Sequence, residues 1–162
     1  MKIDFARCFL GQGVDGYSAA YPFESVYTSA KRLTMQAARD EVLAIYRVHG
    51  IGKASTWKEG EDHISLELEF ERIMCDKTID AFSEGDSSKA QELLAAQFGF
   101  LKDHLHAWFP MLFADMKKFA QTKMYLGLAY LTLGFLRTDY QFLRELLFDS
   151  EDAPMAEPDE VE

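Results

Sequence analysis

The chain is poor in the residues that build most catalytic and metal centres. It has two cysteines, Cys8 and Cys75, far apart and without Cys-x-x-Cys spacing. They read as reduced core thiols rather than a disulfide or a zinc knuckle. There are four histidines, His49, His63, His104 and His106. None has a glutamate three residues before it, as a di-iron bundle requires, and His-Glu-x-x-His is absent. His104 and His106 are two apart, roughly 200° around a helix, and cannot chelate together, so no metal site is expected. No Gly-Lys-Ser/Thr phosphate loop occurs. Gly11, Gly13 and Gly16 in "GQGVDG" match G-x-G-x-x-G by letter, but no strand precedes them, and a loop is expected.

Other absences bound the partners and the compartment. The longest apolar run, Tyr125 to Leu136, is 12 residues with two glycines, short of the roughly 18–20 needed to cross a bilayer. No membrane span is expected. The start "MKIDFARCFLG" is too short and too charged for a secretory signal, so a cytoplasmic protein is expected. Basic residues are outnumbered 27 to 17, for a net charge of −10, which repels a phosphate backbone and argues against nucleic acid. A cationic peptide fits that charge better.

What is present favours helices. Apolar residues make up 48% and aromatics 14% of the 162 residues, and proline occurs four times. No stretch alternates apolar and polar residues long enough to make a strand. The expected architecture is all-α: one single-domain helical bundle over residues 1–148. Residues 149–162 contribute seven of the ten net negative charges and no lysine or arginine. They are expected to form a disordered acidic tail.

Periodicity predicts helices over 2–10, 34–49, 63–83, 88–108, 110–120 and 122–147. Met35, Ala38, Val42, Ile45 and Tyr46 form one face of the second, which Gly50 ends. Ile64, Leu68, Cys75, Ile79 and Phe82 form the main stripe of the third. Ser88 with Gln91 reads as a capping box, and Pro110 as the first turn of a new helix. The final helix is apolar nearly all round, so it is expected at the buried centre. Gly127 and Gly134, one heptad apart, would let a neighbouring backbone come close.

Three constellations could carry function. Asp62 and His63 stand just before a helix. The aspartate can cap that helix, the pair can contact a partner, or it can serve a hydrolytic site, although no nucleophile stands at a recognisable spacing. In "FLKDHLHAWFPMLF", His104 and Trp108 are i,i+4 neighbours that can join the core or line a groove. In "YPFESVYT", Tyr21, Phe23, Glu24, Ser25 and Tyr27 combine aromatics with a carboxylate, which either seals a core edge or recognises an apolar, cationic peptide.

Taken in order, "FARCFLG…YPFESVY", "GEDHISLELEF" and "FLKDHLHAWFPMLF" resemble the TorD/DmsD-type chaperones of molybdenum redox enzymes, over nearly all of residues 4–147. The resemblance implies an all-helical cytoplasmic chaperone, not an enzyme. It would recognise a molybdoenzyme catalytic subunit, often through its twin-arginine leader peptide, and delay export until the cofactor is inserted. The family's P-x-D-H loop falls on Gly60, Glu61, Asp62 and His63, with Gly60 where proline is usual. Its E-S-V-Y/W element falls on Glu24, Ser25, Val26 and Tyr27, and its H-L-x-x-W-x-P element on His104, Leu105, Trp108 and Pro110. The expected peptide-binding set is therefore Glu24, Ser25, Tyr27, Glu61, Asp62, His63, His104 and Trp108. The carboxylates are expected at the mouth of an apolar groove, where they would meet the leader's arginines.

The same resemblance carries rivals. Some members of the family are associated with guanine-nucleotide binding, and a nucleotide-hydrolysing enzyme would use the Asp62–His63 loop. An adaptor would use the acidic tail. Family members usually have further helices before the segment that begins here at Asp4. The chain is expected to be either a shortened member or one that starts late, with a bundle face to cover; a homodimer formed by helix exchange is one way to cover it.

Overall fold

The structure, a computed structural model, describes residues 2–11 and 19–149, with no side chain described for Asp149. The expected acidic tail therefore lies, but for the backbone of Asp149, outside the described residues. Among those residues the fold is all-α, with no strand beyond one isolated antiparallel bridge between Phe23 and His63. The helices are α1 (Lys2–Leu10), α2 (Glu24–Thr28), α3 (Ala37–Val48), α4 (Ile64–Ser83), α5 (Ser87–Phe100), α6 (His106–Phe119) and α7 (Lys123–Arg144). A π-helical turn, Leu101–Leu105, joins α5 to α6.

Local chemistry explains most of the helix ends. Gly50 and Gly85, with φ of +69° and +78°, turn the chain out of α3 and α4 in a left-handed conformation that costs glycine little. Asp86, rather than Ser88, caps α5, its side chain accepting the Lys89 N–H at 2.9 Å. α3 begins at Ala37 rather than 34: Met35 has φ +59°, outside the helical region, and is 59% exposed. The expected break before Pro110 is absent. Proline sits inside α6, and the irregularity falls at the π-turn instead, one extra residue having been inserted where Leu101, His104 and Leu105 all face inward.

Two helix starts are capped from a distance. Asp4 of α1 accepts the N–H groups of Gln121 and Thr122, both at 2.8 Å, at the head of α7. Asp62 accepts the Ser25 N–H at 2.9 Å at the head of α2. It does not cap α4, as the sequence suggested. His63 does that, its Nδ1 accepting the Ser65 N–H at 3.1 Å. A carboxylate at a helix N-terminus satisfies otherwise orphaned donors and suits the helix dipole.

The core runs between α3, α4, α5, α6 and the π-turn. Tyr46 stacks on Phe70, Phe70 lies 4.4 Å from Phe100, and His104 stacks on Phe100. The buried face of α4 is Glu67, Phe70, Glu71, Met74, Thr78 and Ala81. It is rotated from the expected stripe, of which Ile79 and Phe82 are 62% and 56% exposed and Cys75 is also at the surface. The predicted stripe followed apolar residues; the observed one buries two glutamates. Both cysteines are free, and Cys8 is buried.

α7 also departs from expectation. It lies at the edge of the bundle, burying only Tyr125, Ala129, Leu136 and Leu143. A Cβ placed on Gly127 or Gly134 would meet nothing within 4 Å, so among the described residues no backbone approaches them.

Candidate functional site

The segments Pro22–Glu24 and Asp62–Ile64 are tied side by side. The Ile64 N–H donates to Pro22 C=O and the Glu24 N–H to Asp62 C=O, both at 3.0 Å. This short ladder brings the "YPFESVYT" and "GEDHIS" stretches together, and the π-turn supplies the third. Behind the ladder lies a buried polar chain. His104 Nδ1 is 2.9 Å from Glu24 Oε2, and Trp108 Nε1–H donates to Glu67 Oε2 at 2.8 Å, with the Glu24 charge close to Glu67. Trp108 also stacks on Tyr27, whose hydroxyl donates to Asp115. Burial and the neighbouring Glu24 charge push the Glu67 carboxyl well above the usual range.

Glu61 and Asp62 also make their contacts inside the fold. Glu61 pairs with Arg39 and, at 3.0 Å, with Lys53. Burial alone would raise its carboxyl, but the hydrogen bonds from those two cations bring it below the ordinary value. Asp62 is fully buried, and its second oxygen, Oδ1, would stand 2.8 Å from a Cβ on residue 60. A proline at Gly60 could not be seated without moving that carboxylate.

Of the eight expected peptide contacts, six are therefore interior: Glu24, Ser25, Glu61, Asp62, His104 and Trp108. Most of their polar atoms bond within the fold, Asp62 Oδ1 having no hydrogen-bond partner among the described residues, and the three carboxylates are not at a rim. The same burial leaves the Asp62–His63 pair without a solvent-facing carboxylate for hydrolysis. Tyr27 and His63 are half-buried.

A groove nonetheless lies beside the ladder, with a volume of about 900 Å³. His63 stands at its lip, edge-on between Phe23 at 5.1 Å and Trp57 at 5.3 Å. Its walls come from α1 (Phe5, Phe9), α4 (Leu68), α6 (Phe109) and α7 (Tyr125, Leu128). Lys58 and Glu59 provide charge at the same lip, and both are exposed. Burial lowers the His63 pKa, outweighing the nearby Glu59 and Asp62 charges. Its Nδ1 already accepts the Ser65 N–H, so the neutral ring carries its proton on Nε2 and offers a donor.

Sequence reasoning missed the walls of this groove and the buried Glu67. The walls have no local signature, because they come from four helices distant in sequence. Glu67 did have one: it precedes Phe70 and Met74 at three and seven residues, on the face that turns inward.

Comparison with known proteins places this arrangement. A family model described as nitrate reductase delta subunit matches residues 1–114. Chaperone protein TorD of Vibrio cholerae is 29% identical over 147 residues, covering 91% of this chain and 64% of the relative. Chaperone protein TorD of Photobacterium profundum is 29% identical over 143 residues, covering 88% and 63%. A perchlorate reductase assembly chaperone protein of Dechloromonas aromatica is 30% identical over 109 residues, covering 67% and 46%. The chain spans a little under two thirds of the TorD relatives it matches. No solved structure matches it.

Proposed function

The chain belongs to the nitrate reductase delta subunit family, and from that premise we propose that it is an assembly chaperone for the catalytic subunit of a molybdenum-containing oxidoreductase. It acts in the cytoplasm by holding that subunit's twin-arginine leader peptide while the cofactor is inserted. The observation that carries this reading is the groove of about 900 Å³ beside the Phe23–His63 ladder, apolar on its walls and charged at its lip. The leader's apolar segment would bury surface against Phe5, Phe9, Phe109 and Leu128, at about 25 cal/mol per Å². His63 Nε2–H would donate to a peptide carbonyl. With Glu24, Glu61 and Asp62 engaged inside the fold, Glu59 is the lip carboxylate open to an arginine.

Calorimetry with a leader peptide and its Arg-Arg→Ala-Ala form tests the reading. The wild-type leader is expected to bind, the doubly substituted one several-fold more weakly, and the difference to shrink with salt. Trp57→Ala and Glu59→Gln should each weaken binding without loss of helicity. No binding by either peptide would overturn the proposal, and equal affinities would remove its charge-reading part. Removal of residues 149–162 should leave affinity unchanged; loss of binding there would favour an acidic-tail adaptor.

A further inference from the structure

Among the described residues, nothing covers the outward side of α7, an apolar surface. Met124, Leu128, Leu131, Phe135 and Phe142 are 55%, 47%, 70%, 52% and 58% exposed. Their spacing of four, three, four and seven is the repeat of a helix–helix seam. Gly127 and Gly134 border this stripe, with open space above each. Turning 100° per residue from Leu131, every residue within about 60° of it between Met124 and Phe142 is apolar, glycine or threonine. A charged partner segment finds nothing to pair with there, unlike at the groove lip.

We infer that this face is the interface of a homodimer, in which α7 packs antiparallel on α7 of a second copy about a two-fold axis at Leu131. The register follows from the sequence. With Leu131 on the axis, Leu128 falls opposite Phe135 of the second copy, Gly127 opposite its Gly134, and Met124 near its Thr138. Large side chains meet along one edge of the seam, while the glycines let the backbones close along the other. Such a face is self-complementary, as a two-fold interface must be.

The area is adequate. At roughly 200 Å² for a full large side chain, the exposed parts of these five residues come to nearly 600 Å² per copy. That is at the upper end for the largest apolar patch of a monomer and approaches the roughly 800 Å² per partner of a standard interface once flanking residues join. Leu128 also lines the groove, so the second copy would stand next to the groove and extend its wall. This dimer exchanges no helix and meets the groove at Leu128.

Sedimentation of the full chain from about 1 to 100 μM tests the inference. The wild type is expected to be a dimer, and Leu131→Glu, which sets two like charges on the axis, to weaken association by at least about 100-fold. Helicity by circular dichroism should not change. In a Cys75→Ser background, Leu131→Cys should crosslink to a dimer under mild oxidation, and Phe82→Cys, exposed on α4, should not. A wild type that stays monomeric at 100 μM overturns the inference. So does a dimer that survives Leu131→Glu, or a monomer in which Leu131→Glu abolishes leader binding, since the face then belongs to the client.

Discussion

The chamber around Glu67 and the outer face of α7 break the same rule in opposite directions. One buries carboxylates; the other exposes leucines and phenylalanines. The buried carboxylates are explained within the protomer: Glu67 takes a hydrogen bond from Trp108, Glu24 faces His104, Glu61 pairs with Arg39 and Lys53, and Asp62 caps α2. Paired and hydrogen-bonded, they hold four stretches of chain in one arrangement. The α7 face has no such account among the described residues. Each of these four carboxylates finds a partner within the fold, whereas an exposed apolar face is answered only from outside it.

Substitutions can break or sharpen that contrast. Trp108→Ala should be the most damaging, removing a fully buried ring that stacks on Tyr27 and leaving Glu67 without its donor. A loss of about 3–5 kcal/mol is expected in urea unfolding. A loss below 1 kcal/mol would mean that the chamber is not structural.

Glu71 gives the next effect, through pH. Burial, aided by the Asp139 charge, pushes its carboxyl up to about 9, and neither oxygen has a hydrogen-bond partner. Between its ordinary value of 4.5 and about 9 the folded chain keeps a proton that the unfolded chain has released. Stability therefore falls as pH rises through that window, with a slope approaching about 1.4 kcal/mol per pH unit. Glu71→Gln should flatten the dependence between pH 6 and 8 and stabilise the protein at pH 8. An unchanged slope would sink the assignment.

Asp62→Ala comes third. Loss of the cap on α2 should cost about 1–2 kcal/mol, while leader affinity, measured on folded protein, stays near wild type because the carboxylate faces the core. A selective loss of affinity would restore Asp62 as a recognition residue. Leu131→Gln should be the mildest, shifting protomer stability by less than about 0.5 kcal/mol, as expected for an exposed side chain. Measured below the dimer's dissociation range, a larger loss would place Leu131 in the protomer's own packing.

Much of the fold was legible in advance. The all-helical class, the spans of α1, α4 and α7 to within a few residues, and the glycine stops followed from local pattern. Ala38, Val42 and Tyr46 turn inward as their four-residue spacing predicted. The family resemblance was carried by three short stretches, and the structure brings them together around one ladder. What failed was the assignment of faces. On α4 the apolar Ile79 and Phe82 point out while Glu67 and Glu71 point in. On α7 an all-round apolar surface suggested the centre of the bundle, and the helix lies at its edge. The site suffered the same error: Glu24, Glu61 and Asp62 looked like a charged rim and form the interior, and the groove walls were not foreseen.

By itself the sequence determined that the chain is helical and where most helices begin and end. Within an α-helix the backbone hydrogen bonds reach only four residues, and Gly50 and Gly85 act where they stand. The tertiary structure decided which carboxylates are buried, that α2 and α7 are capped by Asp62 and Asp4 from distant segments, and that four helices leave a groove between them. Those outcomes depend on which surfaces meet: Glu24, Glu61, Asp62 and Glu67 find partners inside because other stretches of chain arrive there, whereas Glu71 finds none and is held protonated by its burial.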